Sequence, residues 1–507
     1  MLTNMLEARS LDSTRVFYIT LLLTTVVKLA LAHFVPITGD EAYFIEWGRH
    51  PDYGFYDHPP MVGWFLTAFL AVSDTALWLR LPSVLISTFI GWAIYHIVKD
   101  IDARLAVLCA ALYLVAPINL LGVLITTDTP LILFSFLSAW CFYLAQRGDD
   151  LRWYALAGLM LGAAFFSKFF AGLLGIAYFI YLALFVRRGL RPYLGLLLIV
   201  AGTLPFIGLN LWWNYQHCWN NYLFNLQNRA AGGEFSVMTV LGYLALLLYA
   251  LTPPIAYYLF KQRQAMSKIL RQPGAGVFLG VLLIPLALFM LLSLRATIGL
   301  HWILSFYPFL FIAIASLLNK DQLRRSMIFM LPFTALHLIA AVALLTAWPM
   351  LAKNHEGDYT RLAAVMNPAP LAQALTPYRD DYVFATDSYS FSAVLAQAAK
   401  QRVIVFGKGS HHGRQDDLLT DFRILDQKNL LLISRKDDLE RYAGFFQRFE
   451  MKRLKVDGAT YHIAAGVAFD YARYRDEILR PAYESYYRIP AFLPVGACYM
   501  KERYFAD

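Results

Sequence analysis

Long apolar segments follow one another through the first 350 residues, and they restrict the fold more than any other feature. A helix needs about 20 apolar residues to cross a bilayer. Of all residues, 59% are hydrophobic and 16% charged, whereas about 25% are charged in a typical soluble domain. The sequence therefore predicts a polytopic α-helical membrane protein with about eleven transmembrane helices. The candidate spans are residues 14–36, 78–98, 104–121, 129–146, 153–166, 168–186, 193–213, 237–260, 276–295, 301–318 and 326–348.

Basic residues are concentrated in alternate loops, as the positive-inside rule predicts if the N-terminus is inside. The inner loops carry Lys99, Arg104, Arg147, Arg152, Arg187, Arg188, Arg191, Lys261, Arg263, Lys268, Arg271, Lys320, Arg324 and Arg325. The outer side carries fewer, namely Arg49, Arg80, Lys168, Arg229 and Arg295. The net charge of +9 thus reflects membrane orientation and predicts no nucleic-acid partner. The same orientation places the first large loop, residues 38–77, and everything after residue 350 on the outer face.

Polar side chains are densest in that first loop. Gly39-Asp40-Glu41-Ala42 follows the first span, and Tyr56-Asp57-His58-Pro59-Pro60 comes shortly afterwards. A chain that is otherwise mainly lipid-facing has placed its acids and a histidine at one membrane surface. This pattern indicates chemistry at the outer face of a bilayer.

Basic residues that remain outside, against the charge rule, favour phosphate binding. Lys168 lies in a short turn between two helices, and Arg295 and His301 lie in a later turn. Snorkelling to lipid headgroups is the alternative for a single basic residue. Asp128 opens a helix and is either functional or simply favoured by the helix dipole.

These groups meet the requirements for moving a sugar from a phosphate-linked donor. A base must accept the proton of the attacking hydroxyl, and cations must hold the departing phosphate. Asp40 or Glu41 can serve as the base, whereas Lys168, Arg295 and His301 can bind phosphate. Aromatic side chains such as Trp47 and Tyr56 can stack on a sugar or on a polyprenyl chain.

Five motifs resemble those of membrane-embedded type C glycosyltransferases, near the protein mannosyltransferases and the lipid A aminoarabinose transferases. The resemblance covers roughly residues 15 to 350. The motifs are Gly39-Asp40-Glu41-Ala42-Tyr43, Tyr56-Asp57-His58-Pro59-Pro60, Thr126-Thr127-Asp128-Thr129-Pro130, Ser167-Lys168-Phe169 and Gly299-Leu300-His301-Trp302.

The resemblance implies a role for each matched residue. The first acid of the outer loop is catalytic in such enzymes, which implies Asp40 with Glu41 as its neighbour. In some members the later acid and a late-loop histidine hold a divalent metal, here Asp57 and His301; no cofactor is otherwise expected. His58 stands where the aminoarabinose transferases usually have a lysine. This difference weakens the assignment of residue 58 to phosphate binding and the assignment of aminoarabinose as the sugar. The residues predicted to form the site are thus catalytic Asp40 and Glu41; for the donor phosphate Lys168, Arg295, His301 and His58; lining the substrate Tyr56, Asp128, Trp47 and Trp302; and for a metal Asp57 and His301.

The composition after residue 350 is that of a soluble domain. Strands are predicted at 382–386, 402–406 and 430–434, with a helix at 389–400, which favours a small α/β domain with a parallel sheet. The loop 407–414 follows a strand and is interpreted as a structural or acceptor-docking loop. Domains are therefore expected at 1–350, transmembrane and catalytic, and at 351–507, periplasmic. Cys218 and Cys498 both face the outer side in this topology, and their pairing is left open.

The function predicted from these observations is inverting transfer of a sugar from a polyprenyl-phosphate donor to lipid A, another glycolipid or a protein. The expected location is the bacterial inner membrane, with the active site in the periplasm and a monomeric chain among membrane lipids. A transporter or flippase of lipid-linked sugars is the alternative. Transporters usually carry their binding groups near the midplane and have repeated halves, features that this sequence lacks.

Overall fold

The computed structural model describes residues 2–186, 189–225, 235–272, 274–352, 354–408 and 413–506. Arg187, Arg188, Arg229 and the central part of the 407–414 loop, residues 409–412, lie outside the described residues. The chain divides into two compact units. The helical unit comprises Met1–Phe34, Ser73–Leu209 and Gly232–Ala340. The sheet unit comprises Val35–Val72, Asn210–Ala231 and Ala341–Asp507.

Helices occupy every segment that was predicted to span the membrane. They are Leu2–Phe34, Ala76–Asp102, Ala106–Val115, Pro117–Leu120, Asp128–Gly148, Leu151–Phe165, Ala171–Phe185, Leu190–Gln216, Val237–Leu251, Pro253–Lys261, Arg263–Leu270, Ala275–Leu292, Leu300–Ile303, Tyr307–Ala313, the 3₁₀ turn Ile314–Ser316, and Lys320–Ala352. Within the described residues, six helices are long and apolar enough to cross a bilayer, or seven if one bent pair is a single span. The protein is thus a polytopic helical membrane protein, and the count of eleven crossings stays a prediction.

Two breaks interrupt these helices, and the second has a clear local cause. The predicted turn at Ser167-Lys168 is present, between the helices Leu151–Phe165 and Ala171–Phe185. The segment predicted as one span at 237–260 is instead bent by 98°. The bend falls at Thr252, whose φ is 63°, directly before Pro253-Pro254. Proline supplies no backbone N–H to the preceding turn, so the helix cannot continue straight through this point.

The sheet unit contains short helices and, in its described part, one five-stranded sheet. Its helices are Gly39–Arg49, Met61–Leu70, Asn220–Leu223, Glu356–Met366, Ala369–Ala374, Tyr389–Ala399, Gln415–Leu419, Tyr471–Tyr474, Arg480–Ala482 and Tyr499–Tyr504. Turns of 3₁₀ type are Thr376–Tyr378, Phe422–Leu425 and Leu439–Phe445, and π-helical turns are Arg475–Leu479 and Tyr483–Tyr487. The strands are β1 Val383–Thr386, β2 Val403–Val405, β3 Leu430–Ser434, β4 Phe446–Val456 and β5 Ala459–Phe469.

The sheet is mixed, although a parallel one was predicted. Its order is β2-β1-β3-β5-β4; β1 pairs in parallel with β2 and β3, whereas β5 pairs antiparallel with β3 and β4. Strands β1 to β3 lie where the sequence placed them. The hairpin β4–β5 was missed, and its turn is Asp457-Gly458, with φ of 47° and 81°. An Asp-Gly pair with both φ positive is a favoured two-residue hairpin turn.

A disulfide joins Cys218 to Cys498 in the sheet unit. The backbone supports the pair, because the N–H of Cys218 donates to the carbonyl of Ala497 at 3.0 Å. The indole N–H of Trp219 donates to the carbonyl of Pro494 at 2.9 Å. The pairing that the sequence left open is thus present, and it fastens the 210–225 segment to the C-terminal segment.

Candidate active site

The helix Gly39–Arg49 begins inside the first predicted motif. Thr38 is its N-cap, and the pair Thr38 and Glu41 forms a capping box. The Glu41 carboxylate accepts hydrogen bonds from the backbone N–H and the hydroxyl of Thr38, at 3.0 and 3.2 Å. Glu41 is only 1% exposed, whereas Asp40 is exposed to solvent. The two adjacent acids therefore differ: Glu41 holds the start of the helix, and Asp40 is open to a substrate.

Asp40 is hydrogen-bonded to Tyr389, a residue of the C-terminal segment. Although solvent reaches Asp40, the surrounding protein partly desolvates its carboxylate, and this raises the pKa of Asp40 above its ordinary value. The negative charge of Asp57 adds to the rise, whereas the Tyr389 hydrogen bond and His58 oppose it. Burial raises the pKa of Tyr389 to about 12, so its hydroxyl remains a donor at neutral pH. A solvent-accessible carboxylate with a raised pKa is suited to accept a proton.

Asp57 and His58 lie beside this carboxylate, as the charge effects on Asp40 show. The Nδ1 atom of His58 is 3.2 Å from Oδ2 of Asp57, and both side chains are largely buried. In the part of the chain that the structure describes, no group of three or more His, Cys, Asp and Glu side chains is arranged to hold a metal ion. The assignment of Asp57 and His301 to a metal stays a prediction.

The helix Gly39–Arg49 packs against the helix Tyr389–Ala399. A side chain at Gly39 would place its Cβ only 2.7 Å from Cβ of Ser390. Glycine at this position therefore allows the close approach of the two helices. The ring centroids of Tyr43 and Tyr389 are 4.6 Å apart. This packing positions the Tyr389 hydroxyl at Asp40.

Trp47 and Tyr56, two predicted substrate-lining residues, are buried in the sheet unit. Trp47 is 0% exposed and stacks on Phe55 with ring centroids 4.4 Å apart. The backbone N–H of Gly413 donates to the Tyr56 hydroxyl at 3.0 Å, and the backbone N–H of Tyr56 donates to the Gln415 side chain at 2.8 Å. Both residues thus help to pack the sheet unit, and their contact with a substrate stays a prediction.

Lys168 and Asp128 form a buried ion pair in the helical unit. Nζ of Lys168 lies 2.8 and 3.0 Å from the two carboxylate oxygens of Asp128, and each side chain is 7% exposed. Two predicted site residues from different motifs are therefore in direct contact. The pairing compensates a buried charge that would be costly alone, so Lys168 has a structural role whether or not it also binds phosphate.

The late-loop motif packs onto the same turn of the helical unit. Nζ of Lys168 is 5.5 Å from the Phe170 ring centroid, and the Phe170 and Trp302 centroids are 4.6 Å apart. Trp302 in turn contacts His301. His301 and Arg295 are exposed, as ligands for an incoming phosphate would need to be.

The predicted residues thus form one group in each unit. The sheet unit brings together Asp40, Glu41, Asp57 and His58; the helical unit brings together Asp128, Lys168, His301 and Trp302. Tyr389 was missed, because nothing in the local sequence of the C-terminal segment indicates that it meets Asp40. The capping role of Glu41 could have been predicted from the sequence, because Thr38-Gly39-Asp40-Glu41 has the Thr-x-x-Glu spacing of a capping box.

Comparisons with known proteins show which family and which fold the chain is similar to. Residues 57–213 match the family model of dolichyl-phosphate-mannose-protein mannosyltransferase. The lipid A galacturonosyltransferase RgtD of Rhizobium johnstonii is 26% identical over 183 residues, which cover 35% of this chain and 38% of that protein. The chain thus matches well under half the length of this relative.

The fold is similar to that of ArnT from Cupriavidus metallidurans. The structure of ArnT bound to undecaprenyl phosphate aligns with a TM-score of 0.65 and 16% identity, covering 88% of this chain and 97% of that one. The apo structure aligns with a TM-score of 0.61 and 15% identity, covering 89% and 98%. Together with the family-model match, these alignments confirm the resemblance to the superfamily of protein mannosyltransferases and ArnT that the motifs predicted.

Proposed function

We propose that the protein is an inverting glycosyltransferase that moves a sugar from a polyprenyl-phosphate donor to a lipid A, other glycolipid or protein acceptor. Asp40 accepts the proton of the attacking hydroxyl while the anomeric carbon loses its bond to the donor phosphate. Attack opposite that phosphate inverts the anomeric centre, since one base and no covalent intermediate are involved. The products are the glycosylated acceptor and the polyprenyl phosphate.

One observation carries the proposal: the two acids of the motif have different environments. Glu41 is buried and bonded to Thr38, whereas Asp40 is solvent-accessible, has a raised pKa and accepts a bond from Tyr389. A general base has to reach the acceptor proton and to have a pKa not far below the working pH. Of these two carboxylates, Asp40 is the one that solvent reaches, and the rise in its pKa favours proton acceptance.

For the donor phosphate we propose Lys168, Arg295, His301 and His58. Arg295 and His301 are exposed at the end of the helix Ala275–Leu292 and in the following turn, which supports contact with an external anion. Lys168 is neutralised by Asp128, and its role would be to share its charge between the carboxylate and the phosphate. The undecaprenyl phosphate bound to ArnT supports this class of donor.

We place the reaction at the outer face of the bacterial inner membrane. The charge asymmetry of the loops supports this orientation. The Cys218–Cys498 disulfide gives independent support, because disulfides persist in oxidising compartments such as the periplasm. The chain is proposed to act as a monomer, with residues 351–507 as a periplasmic domain.

A transport function is distinguished from transfer by an assay in detergent, where movement across a membrane has no meaning. The purified protein is mixed with undecaprenyl-phosphate sugars, including galacturonic acid and aminoarabinose, and with lipid A. We expect time-dependent release of undecaprenyl phosphate and a glycosylated acceptor of inverted configuration. Intact donor in every mixture, together with sugar movement in reconstituted vesicles, would favour the transporter.

A further inference from the structure

Asp57 and His58, which lie beside Asp40, belong to the turn Phe55-Tyr56-Asp57-His58. The turn is closed on itself, because the backbone N–H of Phe55 donates to the carbonyl of His58 at 2.9 Å. Two carbonyls and one more N–H of the turn bond to side chains from elsewhere in the sheet unit. The place of the Asp57 and His58 side chains therefore depends on those outside side chains.

The first outside side chain is the amide of Asn221, which comes from the 210–225 segment of the sheet unit. Its Nδ2 atom donates to the carbonyls of Phe55 and Tyr56, the latter at 3.2 Å. Asn221 is wholly buried, and its backbone N–H donates to the side chain of Asn214 at 3.0 Å. One buried amide group thus binds two successive carbonyls of the turn, and its own backbone is fixed as well.

The second outside side chain is the amide of Gln415, at the start of a short helix. Its Oε1 atom accepts from the backbone N–H of Tyr56 at 2.8 Å, and the residue is buried. The backbone N–H of Gln415 donates to the hydroxyl of Tyr43 at 2.8 Å. Tyr43 lies about one helical turn after Asp40 on the same helix, so Gln415 links the turn to the helix that carries the proposed base.

The segments that carry these two side chains are fastened to the C-terminal segment. Cys218, three residues before the asparagine, forms the disulfide with Cys498. Asp417, two residues after the glutamine, accepts a hydrogen bond from the hydroxyl of Tyr487 at 2.5 Å. The turn is therefore bonded to two segments that are far from it in the sequence, and each of them is itself held in place.

Buried backbone groups of folded proteins almost always have a hydrogen-bond partner. In this turn, three such groups obtain one from the two amide side chains. Loss of either side chain removes that partner, and the turn can replace it with water only by moving. Because Asp57 and His58 directly follow Tyr56, such a movement displaces both of their side chains.

We propose that Asn221 and Gln415 are positioning residues that hold Asp57 and His58 in place beside Asp40. The proposal rests on the glycosyl transfer proposed above, and it adds two residues that none of the five motifs contains. Both act through their hydrogen bonds to the turn. Because both are buried, neither is expected to touch a substrate.

Hydrogen–deuterium exchange of the full-length protein in detergent tests whether the two amides hold the turn. Gln415→Met removes the acceptor of the Tyr56 N–H at similar volume, and Asn221→Ala removes the donor to the two carbonyls. Each variant should exchange the amides of residues 55–58 about tenfold faster than the wild type, the usual effect of one lost hydrogen bond. Asn429→Ala, which removes a side-chain bond to a backbone N–H elsewhere in the same unit, should leave this exchange unchanged. Wild-type exchange in either of the first two variants would overturn the proposal.

Transfer kinetics separate positioning from a purely structural role. The kcat for an undecaprenyl-phosphate sugar should fall about tenfold in Asn221→Ala, whereas Asn429→Ala should keep its kcat even where the two thermal midpoints fall equally. In a protein that already carries Asp57→Asn and His58→Gln, Asn221→Ala should cost little more, because the groups that it positions are gone. An equal loss in both backgrounds would show that Asn221 only stabilises the fold, and would overturn its positioning role.

The exchange measurement needs no substrate, so it keeps this proposal distinct from the proposed function. A wild-type protein that transfers no sugar would overturn the transfer reaction. The exchange rates of residues 55–58 would still decide whether Asn221 and Gln415 hold the turn.

Discussion

Tyr389 donates a hydrogen bond to the carboxylate of Asp40, and this contact joins the first outer loop to the C-terminal segment. The helix Tyr389–Ala399 carries the tyrosine, and the glycine at position 39 lets that helix approach closely. The hydroxyl favours the ionised form of Asp40, whereas desolvation and Asp57 favour the protonated form. Opposing effects therefore set the pKa of Asp40, and substitution of a neighbouring residue can change this pKa while the carboxylate itself is kept.

Replacing Tyr389 with Phe should shift the acid limb of the pH–rate profile to higher pH. The lost hydrogen bond favoured the carboxylate, so the pKa of Asp40 rises and the base form is lost earlier as pH falls. Activity should therefore drop more on the acid side of the profile than on its plateau, as measured by kcat/KM across the pH range. Tyr378→Phe, in the same unit but away from Asp40, is the control; an identical shift in both variants would contradict the assignment.

Asp40→Asn should fold normally, bind donor and lose about 10²–10⁴-fold in turnover, as expected when a general base is removed. The amide keeps the shape of the side chain but cannot accept the proton. Turnover of undecaprenyl-phosphate sugar by purified protein measures the effect. Near-normal turnover in a well-folded Asp40→Asn protein would refute the mechanism.

Glu41→Gln is the matched comparison for that variant. Gln can replace Glu in a capping box, so this protein should keep both its stability and most of its activity. Glu41→Ala should lower the free energy of unfolding by about 1 kcal/mol through loss of the cap. If Glu41→Gln were as inactive as Asp40→Asn, the separation of roles between the two acids would be wrong.

Much of the fold could be predicted because it depends on local sequence. Apolar runs predicted the helices, and the polar pair Ser167-Lys168 predicted a turn. The hairpin β4–β5 was not predicted, although its Asp457-Gly458 turn is a local signal. The exposed face of β4 dilutes its apolar pattern, since seven of its eleven residues are exposed.

The sequence predicted which residues belong to the site but not all of their contacts. Asp40, Asp57 and His58 follow one another in one loop, so their proximity could be expected. The ion pair of Lys168 with Asp128 joins an interhelical turn to the start of the helix Asp128–Gly148. The contact of Tyr389 with Asp40 joins two distant segments. Such contacts depend on tertiary packing, which sequence periodicity and motif spacing do not reveal.

Lys168→Ala should destabilise the protein, because it leaves the Asp128 carboxylate buried without its partner. Breaking one side of a buried pair costs about 3–5 kcal/mol, to be measured as a lower thermal midpoint in detergent. Combining Lys168→Met with Asp128→Asn removes both charges and should restore much of the stability. If Lys168 also binds the donor, the stable double variant should still bind undecaprenyl phosphate more weakly; unchanged binding would limit Lys168 to its structural role.

Cys218→Ser with Cys498→Ser should lower the stability of the sheet unit by about 3–5 kcal/mol, because a long closed loop gains most from a cross-link. The cysteines are 280 residues apart. The thermal midpoint should fall in the double variant, which should then be insensitive to reductant. Wild-type protein isolated from cells should run as a disulfide-linked species on a non-reducing gel, whereas reduced protein would contradict the periplasmic orientation.

Asp416 should make the thermal stability fall as pH rises from about 4 to 8. Burial raises the pKa of its carboxyl to about 7, above the value of about 3.9 expected in an unfolded chain. Between these values the folded state binds the proton more tightly than the unfolded state does, so raising the pH removes stability. Near pH 4 and below, both states are protonated and the effect vanishes. Above about pH 7 the full penalty of an ionised, buried carboxylate is present.

Asp416→Asn cannot ionise and should remove this part of the pH dependence. Its thermal midpoint should equal that of the wild type near pH 4 and exceed it by several degrees at pH 8. Asp358→Asn, at an exposed position of the same unit, is the control and should follow the wild-type curve. Parallel curves for Asp416→Asn and the wild type would show that residue 416 is ionised at ordinary carboxyl pKa.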